Sequence, residues 1–261
     1  HWNGTSILFE DMRNNRRVEV LNTWDKLLDF SGENITLIII APETEFTERE
    51  ILVLRRFLED NRVNIIIADE LWKTGNSIIK PLLNASLGKG FIVTKLPSGE
   101  LSYFQNTTWT LNNVSYRILL NKAGYINETG LLTPIFYSNS SLEIMIVYNN
   151  ETVRGLSRER ATIGGIGVLG DDKIVIIADS SLFINQCWIY QEEFGDNYNF
   201  SKNLILEYSR EHIILFDNSH YIKQESISEL VNTYTKISGI PPIGLLVSLL
   251  VASLLYFSEG V

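Results

Sequence analysis

Continuous hydrophobic runs alternate with amphipathic stretches along much of the chain. Four of the runs carry the composition of strands that are buried on both faces of a parallel sheet: ITLIIIAP (35–42), VNIIIADEL (63–71), KIVIIAD (173–179) and HIILFD (212–217). After the first run, TEFTEREILVLRRFLEDN has helical periodicity, with Thr47 as an N-cap and Glu50 three residues later. Alternation of strands and helices predicts an α/β protein with a parallel sheet.

Weaker patterns complete the predicted order of elements. Residues 88–160 differ from the rest, because alternating runs such as SYRILLNKA and SLEIMIVYN are separated by Gly, Asn and Pro. They predict a β-rich insertion with one solvated face. Shorter elements are predicted as helices at 5–15, in GNSIIKPLLNAS, around SLFINQCWI and at 196–208, and as a strand in RVEVLNT.

The glycines of TIGGIGVLGDDKIVIIAD have the Gly165-x-Gly167-x-x-Gly170 spacing of a dinucleotide-binding loop. Such a loop follows a strand and opens a helix, so that the phosphates meet free N–H groups. Here the glycines precede the strand, and Gly170-Asp171 is typical of a hairpin turn. The pattern therefore favours a β-hairpin over a nucleotide site.

The C-terminal tail is uncharged over 22 residues, ISGIPPIGLLVSLLVASLLYFS (237–258). As a helix it would be roughly 33 Å long, enough to cross the hydrocarbon core of a bilayer. A buried core helix is the alternative, although such a helix is rarely apolar on every side. Gly244, Ser248 and Ala252 recur every four residues, which favours close packing against another helix of the same or a different protein. A polar amphipathic helix at 223–236 is predicted to lead into this span.

Nine Asn-x-Ser/Thr triplets are potential N-glycosylation sites, although some matches are expected by chance in an Asn-rich chain. They begin at Asn3, Asn34, Asn84, Asn106, Asn113, Asn127, Asn139, Asn150 and Asn199. Together with the tail they predict a single-pass protein of the cell membrane, with an extracellular domain at 1–222 that contacts lipid only through its anchor.

Charge and cysteine content narrow the possible functions. The formal net charge of −9 disfavours nucleic-acid binding, because a phosphate backbone would be repelled. One cysteine, Cys187, excludes an internal disulfide and a cysteine-clustered zinc site. Its apolar neighbours favour a buried small side chain.

Several segments resemble archaeal membrane-anchored proteins of the glutamine-amidotransferase-like family (domain of unknown function 4350). The similar segments are HWNGTS, APETEFTEREILVLRRFLED, ADELWKTGNSIIKPLL and, most specifically, KIVIIADSSLFINQ…DNYNFSKNLI…ILFDNSH. The resemblance covers nearly all of the predicted extracellular domain. It implies a flavodoxin-like or class I amidotransferase-like sandwich outside the cell, followed by a transmembrane helix. No activity is established for the family, and related domains act as binding modules.

The sequence lacks the catalytic residues of a class I amidotransferase, which needs a cysteine on the strand-to-helix turn and a nearby histidine. The turn after VNIIIAD reads ELWKTGN, without cysteine. Polar residues do follow the predicted parallel strands, where open α/β sheets bind ligands. These candidate ligand-binding residues are Asp69, Glu70, Asn76, Asp179, Ser180, Asn185, Asp196, Asn197, Asp217 and His220.

Two interpretations of these residues remain open. Their oxygens suit a polar ligand or a hard cation such as Ca²⁺, but helix caps and turns require the same residue types. We therefore expect neither a resident metal nor a cofactor, and no catalytic residue is assigned. The favoured function is a non-catalytic, glycosylated binding or scaffold module of the cell envelope. The alternative is an extracellular hydrolase, with or without metal assistance, that uses Asp179, Asp196 and Asp217.

Overall fold

A computed structural model describes most of the first 221 residues of the chain. The described ranges are 5–14, 16–70, 73–96, 98–139, 144–148, 151–155, 160–189, 191–209 and 212–221. The strands are β1 (Val18–Leu21), β2 (Ile35–Ile40), β3 (Val63–Ala68), β4 (Ser86–Leu87), β5 (Phe91–Lys95), β6 (Leu101–Ser102), β7 (Phe104–Leu111), β8 (Val114–Asn121), β9 (Ile126–Glu128), β10 (Leu132–Tyr137), β11 (Ile144–Tyr148), β12 (Glu151–Gly155), β13 (Thr162–Leu169), β14 (Asp172–Ile177) and β15 (Ile213–Asp217). The helices are α1 (Ser6–Arg13), α2 (Glu48–Asp60), α3 (Asn76–Leu83), α4 (Asn185–Ile189), α5 (Gln191–Phe194) and α6 (Asn197–Tyr208), with 3-10 helices at Trp24–Phe30 and Ser180–Phe183.

A seven-stranded, mainly parallel sheet forms the centre of the fold, in the order β1-β15-β2-β3-β14-β13-β10. The first five strands are parallel to one another. The last two, β13 and β10, extend the sheet in antiparallel fashion. This mixed α/β architecture confirms the fold class expected from the alternation of strands and helices.

The apolar runs of the sequence are the innermost strands. Every side chain of β2 and β15 is buried, as is every side chain of β3 except the partly buried Asn64. Each fully buried Ile or Leu contributes about 1.5–3 kcal/mol through removal from water. Such strands are stable only between two helical layers, which explains why they are hydrophobic on both faces.

The strand order, with the right-handed connections that parallel strands nearly always have, predicts two layers of helices. The chain moves in one direction across the sheet from β1 through β2 and β3 to β14, so the intervening helices share one face. Arg55 of α2 donates to the carbonyl oxygen of Pro81 in α3 at 2.8 Å. The chain then returns to β15, and this reversal places α4 and α6 on the opposite face, where α4 contacts α1.

The helix start predicted at Thr47 is present. The Thr47 hydroxyl accepts from the backbone N–H of Glu50, and the Glu50 carboxylate accepts from the backbone N–H of Thr47. This reciprocal pair satisfies two N–H groups that a helix start leaves free.

The middle of the chain is rich in strands, as its alternating pattern predicts, and part of it belongs to the main sheet. Strand β10 pairs with β13 and forms one edge of the central sheet. The β7–β8 hairpin packs nearby through an aromatic cluster, in which Trp109 lies 4.7 Å from Phe136 and 5.3 Å from Phe200 between ring centroids. Alternation alone indicates a strand but not its partner, so the sequence did not predict this docking.

The glycines at 164–170 belong to a hairpin, as their position before the strand predicts. Strands β13 and β14 pair from Gly164–Ile177 to Leu169–Asp172 around the turn. A Cβ atom on Gly167 would lie 2.5 Å from a methyl group of Leu83 in α3. The glycines therefore allow close approach of neighbouring elements.

Within the described residues, no helix is long and apolar enough to cross a membrane. The predicted juxtamembrane helix (223–236) and membrane span (237–258) lie outside the described residues, together with Gly244, Ser248 and Ala252. The juxtamembrane helix, the membrane span and the helix-packing role of the three small residues therefore stay predictions.

Candidate functional site

Six of the ten candidate residues follow parallel strands, as expected, and they form two separate groups. The first group, which we call the acidic cluster, follows the adjacent strands β3 and β14. The second, which we call the histidine cluster, follows β15. The acidic cluster contains Asp69, Glu70, Asp179 and Ser180, and the histidine cluster contains Asp217 and His220.

Hydrogen bonds within the acidic cluster join the ends of the two strands. Glu70 accepts from the backbone N–H of Ser180 and, at 3.0 Å, from its hydroxyl. Asp179 accepts from the N–H and hydroxyl of Ser181 and, at 3.0 Å, from the N–H of Asn121. Asp179 therefore caps the 3-10 helix that follows it, which is the structural role that its residue type also predicted.

Asp69 organises the turn between β3 and α3. Its carboxylate accepts from the backbone N–H of Gly75 at 2.9 Å and from that of Lys73 at 3.3 Å. Lys73 has a φ of +61°, an uncommon conformation for a side chain with a Cβ. The carboxylate thus supports a tight strand-to-helix turn.

Burial sets the electrostatics of the acidic cluster. Desolvation raises the pKa of Glu70, because the hydrogen bonds from Ser180 only partly offset it. Desolvation and the neighbouring Glu70 charge raise the pKa of Asp179 well above its ordinary value. Desolvation lowers the pKa of Lys73 despite its attraction to Asp69 and Glu70.

The Lys73 ammonium also lies beside the acidic cluster. Its Nζ atom is buried and has no hydrogen-bond partner among the described residues. It lies 5.1 Å from the ring centroid of Phe91, a distance at which a cation is attracted to the ring face. A Cβ atom on Gly124 would lie 2.6 Å from Nζ, so this glycine leaves the space that the ammonium fills.

The histidine cluster is an aromatic-lined ion pair. His220 Nδ1 lies 2.8 Å from a carboxylate oxygen of Asp217, and Nε2 lies 3.5 Å from a carboxylate oxygen of Glu50. The imidazole stacks on Phe46 with ring centroids 3.7 Å apart. Asp217 also accepts from the indole N–H of Trp24 at 3.3 Å. The imidazole therefore connects the end of β15 to the first turn of α2.

The two carboxylates control the charge of His220. Burial alone would lower its pKa, but the hydrogen bond and charge of Asp217, together with Glu50, raise the pKa above the ordinary value. Both ring nitrogens face carboxylates, so the imidazolium form is favoured. Asp217 and His220 thus form a buried ion pair.

The other four candidates lie apart from these two clusters and hold loops or strands. Asn76 bonds both the N–H and the carbonyl of Leu87. Asn185 accepts from the N–H of Ile7. Asp196 and Asn197 bond the backbone of β8, at Arg117 and at Leu119 respectively.

The helix-cap interpretation is wrong for one of these four. Asp196 stands at the start of α6, yet its side chain makes no capping hydrogen bond there. Its carboxylate accepts instead from the N–H of Arg117 at 2.7 Å. The nearby edge of β8 supplies a donor that sequence position alone does not reveal.

Cys187 is buried, as its apolar surroundings predict. Its sulfur lies 2.9 Å from the carbonyl oxygen of Ser181 and 3.9 Å from the amide nitrogen of Asn197. Burial raises the pKa of the thiol to about 12. The histidines of the described residues, His212 and His220, bond to partners other than this thiol.

Sequence reasoning missed Lys73, Glu50, Trp24 and Phe46 as neighbours of the candidate residues. The sequence did single out Glu50 as part of the capping box, but this pattern predicts a helix start and not a contact with His220. The contacts of the other three depend on the packing of α2, the 3-10 helix and the β3–α3 turn, which sequence periodicity does not specify. Across the described part of the chain, no three His, Cys, Asp or Glu side chains are grouped so that they could hold a metal ion.

Comparison of the chain with protein-family models gives no match. Comparison with curated proteins gives no significant relative.

Proposed function

We propose that this chain is the non-catalytic, N-glycosylated extracellular module of a single-pass membrane protein, acting in binding or scaffolding at the cell envelope. We further propose membership of the glutamine-amidotransferase-like family that it resembles. The proposal combines the apolar tail and the glycosylation triplets with the hydrogen bonding of the candidate site.

The hydrogen bonds of the polar residues at the strand ends carry the non-catalytic part of the proposal. Glu70 bonds Ser180, Asp179 bonds Ser181 and Asn121, and Asp69 bonds the α3 turn. A ligand or cation would have to share or replace these bonds. Oxygens that already satisfy buried donors favour a structural role.

The exposure of the triplet asparagines supports the extracellular part. Seven of them lie in the described residues, where six are exposed and Asn139 is partly buried. The fully buried asparagines, Asn185 and Asn197, lie outside the triplets. Two positions have another explanation, since Asn84 and Asn113 have positive φ values of 50° and 64°, which asparagine tolerates in turns.

The layered α/β architecture supports the proposed family likeness more than the order of strands in the sheet does. A parallel sheet between helical layers supports a flavodoxin-like or amidotransferase-like core. Strand β15, however, inserts between β1 and β2, whereas the flavodoxin order is 2-1-3-4-5. The likeness is therefore proposed for the architecture and not for the detailed connectivity.

Fractionation of cells tests the membrane anchor. The full chain is expected in the membrane pellet after alkaline extraction, and external protease should digest it on intact cells. The matched control ends at residue 236, which removes the apolar tail, and is expected in the soluble extracellular fraction. Soluble, protease-protected full chain would contradict the proposal.

A hydrolase is the second candidate, favoured by one observation. Glu70 and Asp179 are buried carboxylates with raised pKa values on adjacent strands, an arrangement also found at acid–base sites. Glu70→Gln separates the two functions, because glutamine can still accept from the Ser180 N–H and donate to its hydroxyl. A hydrolase would lose turnover on a panel of ester and glycoside substrates while remaining folded. If the protein is a binding module, neither the wild type nor the Glu70→Gln variant would show turnover.

A further inference from the structure

A polar groove lies between the β7–β8 hairpin and the edge of the central sheet. Its volume is about 710 Å³, which is within the usual range for a bound small molecule. The groove is lined by residues 106–110 of β7, Ile135 and Tyr137 of β10, Asn139, and the side chains of Arg117 and Arg160. None of these residues belongs to the acidic or the histidine cluster.

Strand β7 turns toward this groove backbone groups that have no strand partner among the described residues. The hairpin closes at Leu111 and Val114 around a two-residue turn, and hydrogen-bonded pairs alternate from there. Asn106, Thr108 and Thr110 therefore direct their N–H and C=O groups away from β8. In the described part of the chain β7 has only β8 as a strand partner.

Strand β10 forms the other side of the groove and is also an edge. It is the last strand of the central sheet, with Pro134 at a position where an edge tolerates a missing N–H. Among the described residues, side-chain hydrogen bonds bridge the two strands near Tyr137. Thr107 and Trp109 donate to the carbonyl oxygen of Tyr137, and Asn139 donates to that of Asn106.

Two open strand edges beside one groove are a hazard for a protein. Unpaired N–H and C=O groups are a template for pairing with a strand of another molecule. Charged or bulky groups that cover an edge prevent this pairing. A cover for this groove should be polar, because hydroxyl, amide and guanidinium groups line much of it.

A glycosylation triplet is located at the groove itself. Asn106 and Thr108, the first and third residues of the triplet, are both exposed and lie on the same face of β7. In the Asn34 triplet, by contrast, the third residue Thr36 is fully buried. The Asn139 amide nitrogen already donates to the carbonyl of Asn106, which makes Asn106 the better carrier.

We propose that an N-linked glycan on Asn106 lies along this groove and shields the open edges of β7 and β10 from pairing with another protein strand. Sugar hydroxyls both donate and accept hydrogen bonds, so they match unpaired N–H and C=O groups alike. The inference rests on the proposed extracellular location, where such glycans are added.

Substitutions at Thr108 test the shield with a matched pair. Thr108→Ala destroys the triplet without changing Asn106, whereas Thr108→Ser preserves it. The full chain is purified in detergent from the cells that naturally produce it. Glycopeptide masses give the occupancy of Asn106, and light scattering gives the protein mass of the particles. We expect Thr108→Ala and Asn106→Gln to lose the glycan and to form at least several-fold more dimers and larger species than Thr108→Ser.

Asn127→Gln is the control for a glycan elsewhere, since Asn127 is exposed and outside the groove. It should leave the particle mass of the protein unchanged. Occupied Asn127 with unoccupied Asn106 would overturn the shield but not the extracellular location. An occupied Asn106 whose loss leaves the particle mass unchanged would also overturn it. Absence of sugar from all nine triplets would contradict the glycosylated module as well.

Discussion

At the scale of single residues, the charge of His220 makes the stability of the protein depend on pH. Its pKa is raised by Asp217 and Glu50, whereas in an unfolded chain it is near 6.5. The ion pair therefore contributes fully to stability below about pH 6.5, and its contribution is lost as the pH rises through the raised pKa.

We predict that His220→Gln lowers the free energy of unfolding by about 1.5–3 kcal/mol at pH 6, the range for charge-assisted hydrogen bonds. The loss should be smaller at pH 9 than at pH 6, because the stabilising charge of the wild-type imidazole is lost as the pH rises. Urea unfolding of both proteins at the two pH values measures this. Asp217→Asn is the control and should also weaken the pH dependence. An equal loss at both pH values would show that only packing against Phe46 is involved.

Cys187 provides a second prediction for a single residue. Because burial raises the thiol pKa to about 12, almost no thiolate exists at pH 8. Ellman's reagent should leave the native protein unmodified for hours and should detect one thiol after unfolding in guanidinium. Modification of the native protein within minutes would contradict the buried position and reopen a nucleophilic role.

At the scale of elements, the amide side chain of Asn197 attaches helix α6 to the backbone of the β7–β8 hairpin. Asn197 accepts from the N–H of Leu119 at 2.9 Å and donates to its carbonyl at 2.8 Å. Asn197→Ala leaves both backbone groups without these partners, so we predict a loss of about 2–4 kcal/mol in the free energy of unfolding. Asn203→Ala on the same helix is the control, because its exposed amide bonds only the Tyr116 hydroxyl. Equal losses in denaturant unfolding would contradict the role of Asn197.

The elements were predictable where a local rule determines them. Continuous apolar runs identified β2, β3, β14 and β15, and the Thr47–Glu50 spacing identified the start of α2. Pairing between distant segments was not predictable. The docking of β10 on β13, for example, depends on glycines that admit a close neighbour.

The candidate site was predictable in part for the same reason. Strand ends correctly placed Glu70 near Ser180 and Asp217 near His220. The positions of the strand ends did not predict that the acidic cluster and the histidine cluster are separate, because local periodicity does not specify the order of strands in the sheet. Lys73 was missed because its burial against Phe91 depends on β5, which is distant in the sequence from the β3–α3 turn.

At the scale of the whole molecule, surface chemistry and site chemistry favour the same function. Exposed glycosylation triplets favour an extracellular surface, while internally bonded carboxylates favour a scaffold over a catalyst. The strongly acidic net charge of −9 adds repulsion between copies. An open strand edge would favour association of copies despite that repulsion. A glycan at Asn106 would oppose this association.

Glycopeptide mapping tests the central claim most directly. The protein is isolated from the membrane fraction of the cells that naturally produce it, and the mass of each triplet-containing peptide is measured. The account predicts sugar on exposed asparagines, among them Asn106 and Asn127. Recovery of the protein from the cytosol with every triplet unmodified would contradict it.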